Sequence, residues 1–135
     1  SMAGERYTED HLWTRAEGRR VRVGMSAFAQ EELGEIAFVE LPPVGRSVAA
    51  GEAVGVVDSL KSTSELLSPV TGTIVEVNDA LRTEKGARAI NEDPLDTGWL
   101  FVIDPADPRE VDGLMSEERY RSYVAGPSDP GPGKR

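Results

Sequence analysis

Apolar residues in this chain come in short runs, each closed off by polar or turn-forming residues. Leu12 to Ala16, Arg20 to Gly24, Ile36 to Leu41, Ala53 to Asp58, Glu65 to Leu67, Thr73 to Val77 and Trp99 to Ile103 read as strands. Glu17-Gly18 separates the first two as a hairpin turn would. Pro42-Pro43 stops the third, and Pro69 to Gly72 and Asn78-Asp79 punctuate the later ones. Many short strands at this spacing predict a mostly β fold, a sandwich or hybrid barrel of antiparallel strands.

Three helical pieces interrupt the strands. Ser26 can cap a helix reaching Leu33, with Gly34 free to take the left-handed ending. Asp107-Pro108-Arg109-Glu110 places an acid at the cap, proline at the first helical position and a second acid three residues on, which predicts a short helix to about Asp112. Ser116 caps a further helix, Glu117 to Ala125, with Met115 and Tyr120 set to staple it and Gly126 to end it. The expected fold therefore carries flanking short helices, two of them near the C-terminus. Gly51 and Gly72 are expected in positive-φ turns.

The pattern predicts one domain, residues 7–125. Residues 1–6 read as a cloning scar, Ser1 before Met2, with a flexible N-terminus. Residues 126–135, proline, glycine and charge, read as a disordered tail. Ala3 to Tyr7 lacks the apolar core of a signal peptide, so a cytoplasmic product is expected, although a transit peptide removed beforehand would leave no trace.

Charge and composition narrow the chemistry. The 135 residues hold 24 Asp+Glu against 15 Lys+Arg, a formal net charge of −9, which argues against nucleic acid or an anionic membrane as partner. No apolar run approaches the length of a membrane span. Cysteine is absent and His11 is the one histidine, so thiolate metal sites, disulfides, cysteine nucleophiles and multi-histidine metal sites are excluded. Redox chemistry in such a chain must be imported. Asp104, Asp107 and Asp112 read as turn and cap residues, not calcium ligands, and no metal site is expected. Glu31, Glu32 and Glu35 with Glu9 and Asp10 read as a solvated acidic side that could serve recognition. Trp13, Phe28, Phe38, Trp99 and Phe101 read as core or sheet-face residues.

The informative stretch is Val44 to Val77. The strand Ala53 to Val57 ends in Asp58-Ser59-Leu60-Lys61-Ser62-Thr63-Ser64, which reverses the chain, and Glu65-Leu66-Leu67 leads back. Lys61 is thereby expected at the tip of a hairpin, its amine in water between small hydroxyl residues. An exposed turn lysine is ordinarily a solvated charge. Yet the chain has only three lysines, Lys61, Lys85 and Lys134, and uses arginine elsewhere. An amine that is to be acylated cannot be arginine, whose guanidinium stays protonated.

From Tyr7 to Ala125 the chain resembles the H-protein family of the glycine cleavage system, within the biotinyl/lipoyl domain superfamily. The resemblance rests on Tyr7-Thr8-Glu9-Asp10-His11-Leu12-Trp13, on Ala29-Gln30-Glu31-Glu32-Leu33-Gly34, on Phe38-Val39-Glu40-Leu41-Pro42, on Asp58-Ser59-Leu60-Lys61-Ser62-Thr63-Ser64-Glu65, on Pro69-Val70-Thr71-Gly72, and on Asn91-Glu92-Asp93-Pro94. It implies lipoic acid in amide linkage on Lys61, a recognition turn of Asp58, Ser59, Leu60 and Ser62, and contact of Glu65 and Asp10 with the loaded arm. Where the family commonly has an acid between the histidine and the tryptophan, this chain has Leu12.

The resemblance further implies a carrier without catalysis of its own. It would take an aminomethyl group from the pyridoxal-phosphate P-protein, deliver it to the folate-dependent T-protein, and be reoxidised by dihydrolipoamide dehydrogenase, the L-protein. Lipoyl- or octanoyl-transfer enzymes would install the arm, and a monomer is expected. The alternatives are an H-like carrier relaying lipoyl groups to other complexes, a biotinyl carrier, and an unmodified scaffold of the same fold. A biotinyl domain would show methionines beside the lysine, where Leu60 and Ser62 stand.

Overall fold

The computed structural model describes residues 4–126, and the expectations for residues 1–3 and for the tail beyond Gly126 lie outside the described residues. In chain order the elements are β1 (Arg6–Tyr7), β2 (Leu12–Glu17), β3 (Arg20–Met25), α1 (Ala27–Leu33), β4 (Ile36–Glu40), β5 (Ser47–Val48), β6 (Ala53–Ser59), β7 (Thr63–Leu67), β8 (Gly72–Val77), a 3-10 turn (Asp79–Arg82), α2 (Glu84–Ala87), α3 (Ala89–Glu92), β9 (Phe101–Pro105), α4 (Arg109–Asp112) and α5 (Glu117–Ala125). The strands form two antiparallel sheets, one of six in the order β1-β2-β3-β9-β8-β5 and one of three in the order β4-β6-β7. The mostly β expectation with flanking helices holds, as two packed sheets that do not close into one barrel.

Alternation builds the core. On β3, Val21, Val23 and Met25 turn inward while Arg20 is exposed. They meet Ile36, Val39, Val54, Val57 and Leu66 of the smaller sheet and Ile74, Phe101 and Ile103 of the larger one in a single apolar cluster. Leu81, Ala87 and Ile90 cover it from the 79–92 segment, where Asn78 and Thr83 cap two short turns through bonds from the Ala80 and Gly86 amides. A smaller cluster joins Tyr7, Trp13 and Tyr120, and Met115, whose backbone bridges to Tyr7, packs against it.

Three local expectations differ from the structure. β9 starts at Phe101, because Trp99 donates its amide to Asp96 in a turn and lies under the Arg22 guanidinium, 4.4 Å from its ring centre. Asp107 precedes the cap position of α4 and its carboxylate accepts from the Arg109 amide, while Glu110 reaches away to accept from the Thr71 amide. Gly51 has the expected positive φ of 84°, but Gly72 does not. It is glycine because a Cβ there would lie 2.3 Å from the Asp104 carbonyl oxygen across the β8–β9 ladder. Phe38 is a sheet-face residue left 53% exposed on β4.

The tightest side-chain constraint sits between β2 and β3. Trp13, fully buried, donates its indole N–H to the Pro94 carbonyl at 2.8 Å and lies flat against Gly24, where a Cβ would fall 2.3 Å from the indole carbons. Gly24→Ala therefore forces the tryptophan to move in a filled core, and is expected to cost about 1–3 kcal/mol. The measurement is a urea titration, with a lower midpoint and an unchanged m-value.

Candidate functional site

Lys61 occupies the turn between β6 and β7 and is exposed. The Ser59 side chain organises this turn. Its hydroxyl oxygen accepts from the Lys61 amide at 3.2 Å and the Ser62 amide at 3.0 Å, and the Ser59 amide donates to the Ser62 carbonyl at 2.8 Å. Below it, the Thr63 hydroxyl donates to the Asp58 carboxylate at 2.6 Å and ties the first rung of the hairpin. Of the expected recognition residues, Asp58 and Ser59 thus shape the turn from within, while Leu60, 70% exposed, and Ser62 face solvent.

The tip is docked against the end of α1. The Leu60 amide donates to the Glu35 carbonyl at 3.0 Å. α1 itself begins on Ser26, whose Oγ accepts from the Ala29 amide, and ends at Gly34 with φ 85° and ψ −157°, a conformation nearly reserved for glycine. The lysine stem lies over that glycine: a Cβ on Gly34 would fall 3.2 Å from Lys61 Cε and 3.9 Å from Nζ. Asn91 braces the same corner, donating to the Gly34 carbonyl and to Gln30 Oε1 at 2.9 Å each and accepting from the Ile36 amide at 2.9 Å.

Beside the tip, α1, β7 and the approach to β2 enclose an open cleft of about 260 Å³. Leu12, Met25, Leu33 and Leu66, all buried, form its floor; Asp10, Glu32 and Glu65, all exposed, stand around it. His11 and Phe28, with ring centres 5.0 Å apart, make an aromatic wall. Asp10 and Glu65 are thus brought together, and Leu12 contributes apolar floor. Glu9 faces a different groove. The reading of the sequence missed Glu32, Phe28 and Ser64 as members of this cleft. Helical spacing of Phe28, Ala29 and Glu32 on α1 was the signal for Glu32 and Phe28, while Ser64 is next to Glu65 on β7. None of Asp10, Glu32, Glu65 and Lys61 enters an ion pair among the described residues. An apolar trough with unpaired carboxylates beside it suits a flexible apolar chain that ends in a cationic amine.

The wall is anchored to the C-terminal helix. His11 Nδ1 lies 2.9 Å from the Tyr120 hydroxyl, which also lies 2.7 Å from Ser26 Oγ. Tyr120 stacks on Tyr7 with centres 4.3 Å apart. Burial pushes the Tyr120 phenol above its ordinary range and, aided by Glu117 and Glu5, pushes Tyr7 up to about 12.

Comparison with known proteins shows which family the chain resembles over most of its length. The family model described as "Glycine cleavage H-protein" matches residues 5–126. The "Glycine cleavage system H protein" of Geobacillus kaustophilus is 47% identical over 119 residues, 88% of this chain and 92% of that protein. Those of Bacillus pumilus and Anaeromyxobacter sp. (strain K) are 48% and 44% identical over 119 residues, 88% of this chain and 92% and 91% of theirs. Among solved structures, a crystal structure of a glycine cleavage system H protein from Mycobacterium marinum superposes with a TM-score of 0.80 at 38% identity, over 92% of this chain and 99% of that one.

Gly34→Ala tests the docked corner. It is expected to lower the unfolding free energy by about 1–3 kcal/mol, the cost of forcing a Cβ into that backbone region. Lys61, exposed at the tip, should stay reactive. A urea titration and peptide-mapped acetylation of Lys61 check the two statements.

Proposed function

The chain belongs to the glycine cleavage H-protein family, and from that premise we propose that Lys61 is the residue through which it carries lipoic acid, in amide linkage, as the mobile carrier of the glycine cleavage system. The observation that carries the assignment is a primary amine at the apex of a hairpin whose turn is held from inside by the Ser59 hydroxyl. Such an exposed amine is open to an acylating enzyme from its solvent side, and amide formation there disturbs no buried contact.

The residues around the tip fit the group. Once attached, lipoic acid supplies a dithiolane, a disulfide that this cysteine-free chain cannot form itself, whose sulfurs exchange reversibly and hold a one-carbon amine. The chain's own part is to bind and shelter. Leu12, Met25, Leu33 and Leu66 offer an apolar bed, and Asp10 and Glu65 supply negative charge for the cationic end, with Glu32 as a third carboxylate from α1. His11 and Phe28 close one side against water. Covalent tethering raises the effective concentration of the cargo at each enzyme the arm visits.

Family membership implies work with the other glycine cleavage components. In this reading the chain has no catalysis of its own. It collects the aminomethyl group at the P-protein, gives it up at the T-protein and is reoxidised by the L-protein, after lipoyl- or octanoyl-transfer enzymes have loaded Lys61. It acts as a monomer in the cytoplasm. Among the described residues no helix is long and apolar enough to cross a membrane.

Two variants test the assignment. Lys61→Arg is expected to unfold like the wild type and to lose lipoylation and glycine cleavage completely, with intact-mass measurement of protein from the native host as the readout. A wild-type chain without an adduct in a host that cleaves glycine would overturn it. Glu65→Ala is expected to keep lipoylation while the amine-loaded form decays about fivefold faster, the worth of one exposed charge interaction of about 1 kcal/mol. Decay at the wild-type rate removes Glu65 from the site.

A further inference from the structure

The hydrogen bonds that tie His11 to the C-terminal helix have only one arrangement that satisfies every proton. Ser26 Oγ already accepts from the Ala29 amide at 3.1 Å, and Ser26 is 1% exposed, so its own proton must find a partner within the protein. Among the described residues the Tyr120 oxygen, at 2.7 Å, is the partner in reach. With Ser26 donating to Tyr120, the phenol proton turns to the one acceptor left, His11 Nδ1 at 2.9 Å. Nδ1 then carries no hydrogen, and the neutral imidazole bears its proton on Nε2. The reverse order, Nδ1–H to Tyr120 and Tyr120 to Ser26, leaves a buried serine hydroxyl without an acceptor. Tyr123 does not compete, because its hydroxyl donates to the Glu9 carbonyl at 3.1 Å.

The backbone is committed to the same arrangement. His11 is the one non-glycine residue with positive φ, 71°, among the described residues, and it is held there by its amide donating to the Thr8 carbonyl and its carbonyl accepting from Ser26. Nε2 has no protein partner among the described residues.

We infer that Tyr120 is a positioning residue that fixes His11 as the Nε2–H tautomer, so that the imidazole on the cleft wall is a donor and its basic lone pair is covered. This rests on the reading of the cleft as the shelter of a cationic amine. A neutral imidazole with a bare nitrogen beside that amine would take its proton as a general base. With Nδ1 occupied by the phenol, the only imidazole nitrogen left free already carries hydrogen, and the cationic amine faces the Asp10, Glu32 and Glu65 carboxylates with no bare imidazole nitrogen beside it.

The single histidine makes the tautomer directly readable. Long-range 1H–15N spectra of the unmodified full chain at about pH 8.5, above the range in which imidazoles ordinarily titrate, should show one imidazole with a protonated Nε2 and a bare Nδ1. Tyr120→Phe keeps the ring stack and removes the hydroxyl, and is expected to give a mixture of tautomers. Ser26→Ala removes the proton that sets the order and should also give a mixture, whereas Ser26→Thr restores the single form. The serine pair keeps the test intact should Tyr120→Phe fold poorly.

In lipoylated protein, Tyr120→Phe should shorten the lifetime of the amine-loaded form roughly tenfold, less than a well-placed general base contributes. An Nδ1–H signal in the wild type, or a tautomer unmoved in both Tyr120→Phe and Ser26→Ala, overturns the inference. So does a loaded variant that decays at the wild-type rate. Failure of the carrier reading looks different, since the wild type then accepts no load while the tautomer spectrum is unchanged.

Discussion

One backbone hydrogen bond, from the Leu60 amide to the Glu35 carbonyl, joins the two parts on which the site depends. The β4–β6 pairing ends at Ile36 and Ser59, and beyond it the hairpin tip projects with few contacts of its own. This bond pins it to the end of α1, and α1 is in turn held by Asn91, whose amide bridges Gly34, Gln30 and Ile36. The lysine at the apex therefore has a defined neighbour, the helix that forms one side of the cleft. Asn91 comes from α3, in the segment that also covers the core with Leu81, Ala87 and Ile90. The placement of Lys61 is thus connected, through one side-chain amide, to the packing of the whole domain.

The cleft divides its labour by residue type. Apolar side chains from β2, β3, α1 and β7 supply a bed that favours a hydrocarbon chain, and the carboxylates stand exposed around it. A buried acid at Leu12 would have placed charge closer to the occupant at a large desolvation cost. With leucine there, negative charge comes from three solvated acids instead. Each is individually weak, but they share one sign in a recess of low polarity.

Much of this was legible in the chain. Alternating valines on β3, the serine caps of α1 and α5 and the Asp58 to Ser64 reversal are local signals, and the structure has them within a residue or two. β1 and β5, two residues each, carry no periodicity and exist only because the sheet is there to receive them. The 79–92 segment lacks a long amphipathic repeat, and its turns form because Asn78 and Thr83 cap them over a core already built. Gly72 shows how a glycine can mislead: in sequence it reads as a turn, in space it is a contact between two strands. The order of the motifs singled out Lys61, Asp10 and Glu65, and the structure puts Asp10 and Glu65 on one cleft, with Lys61 on the exposed turn between β6 and β7. Glu32 was named only as part of an acidic side, since its meeting with β7 is a long-range fact. The link from Tyr120 to His11 spans nearly the whole chain and leaves no local trace.

The bare α-carbon of Gly34 has an effect beyond backbone freedom. Because nothing projects there, the methylenes of Lys61 rest against the main chain before any prosthetic group is attached. A long tether normally surrenders many rotational states when it settles in a recess, and that loss opposes settling. Here the first bonds of the tether are already directed along the helix end, so part of the ordering is complete in advance. For an arm carried on Lys61 as proposed, the modest charge attraction of a small cationic end would then tip the balance between reaching outward and folding home.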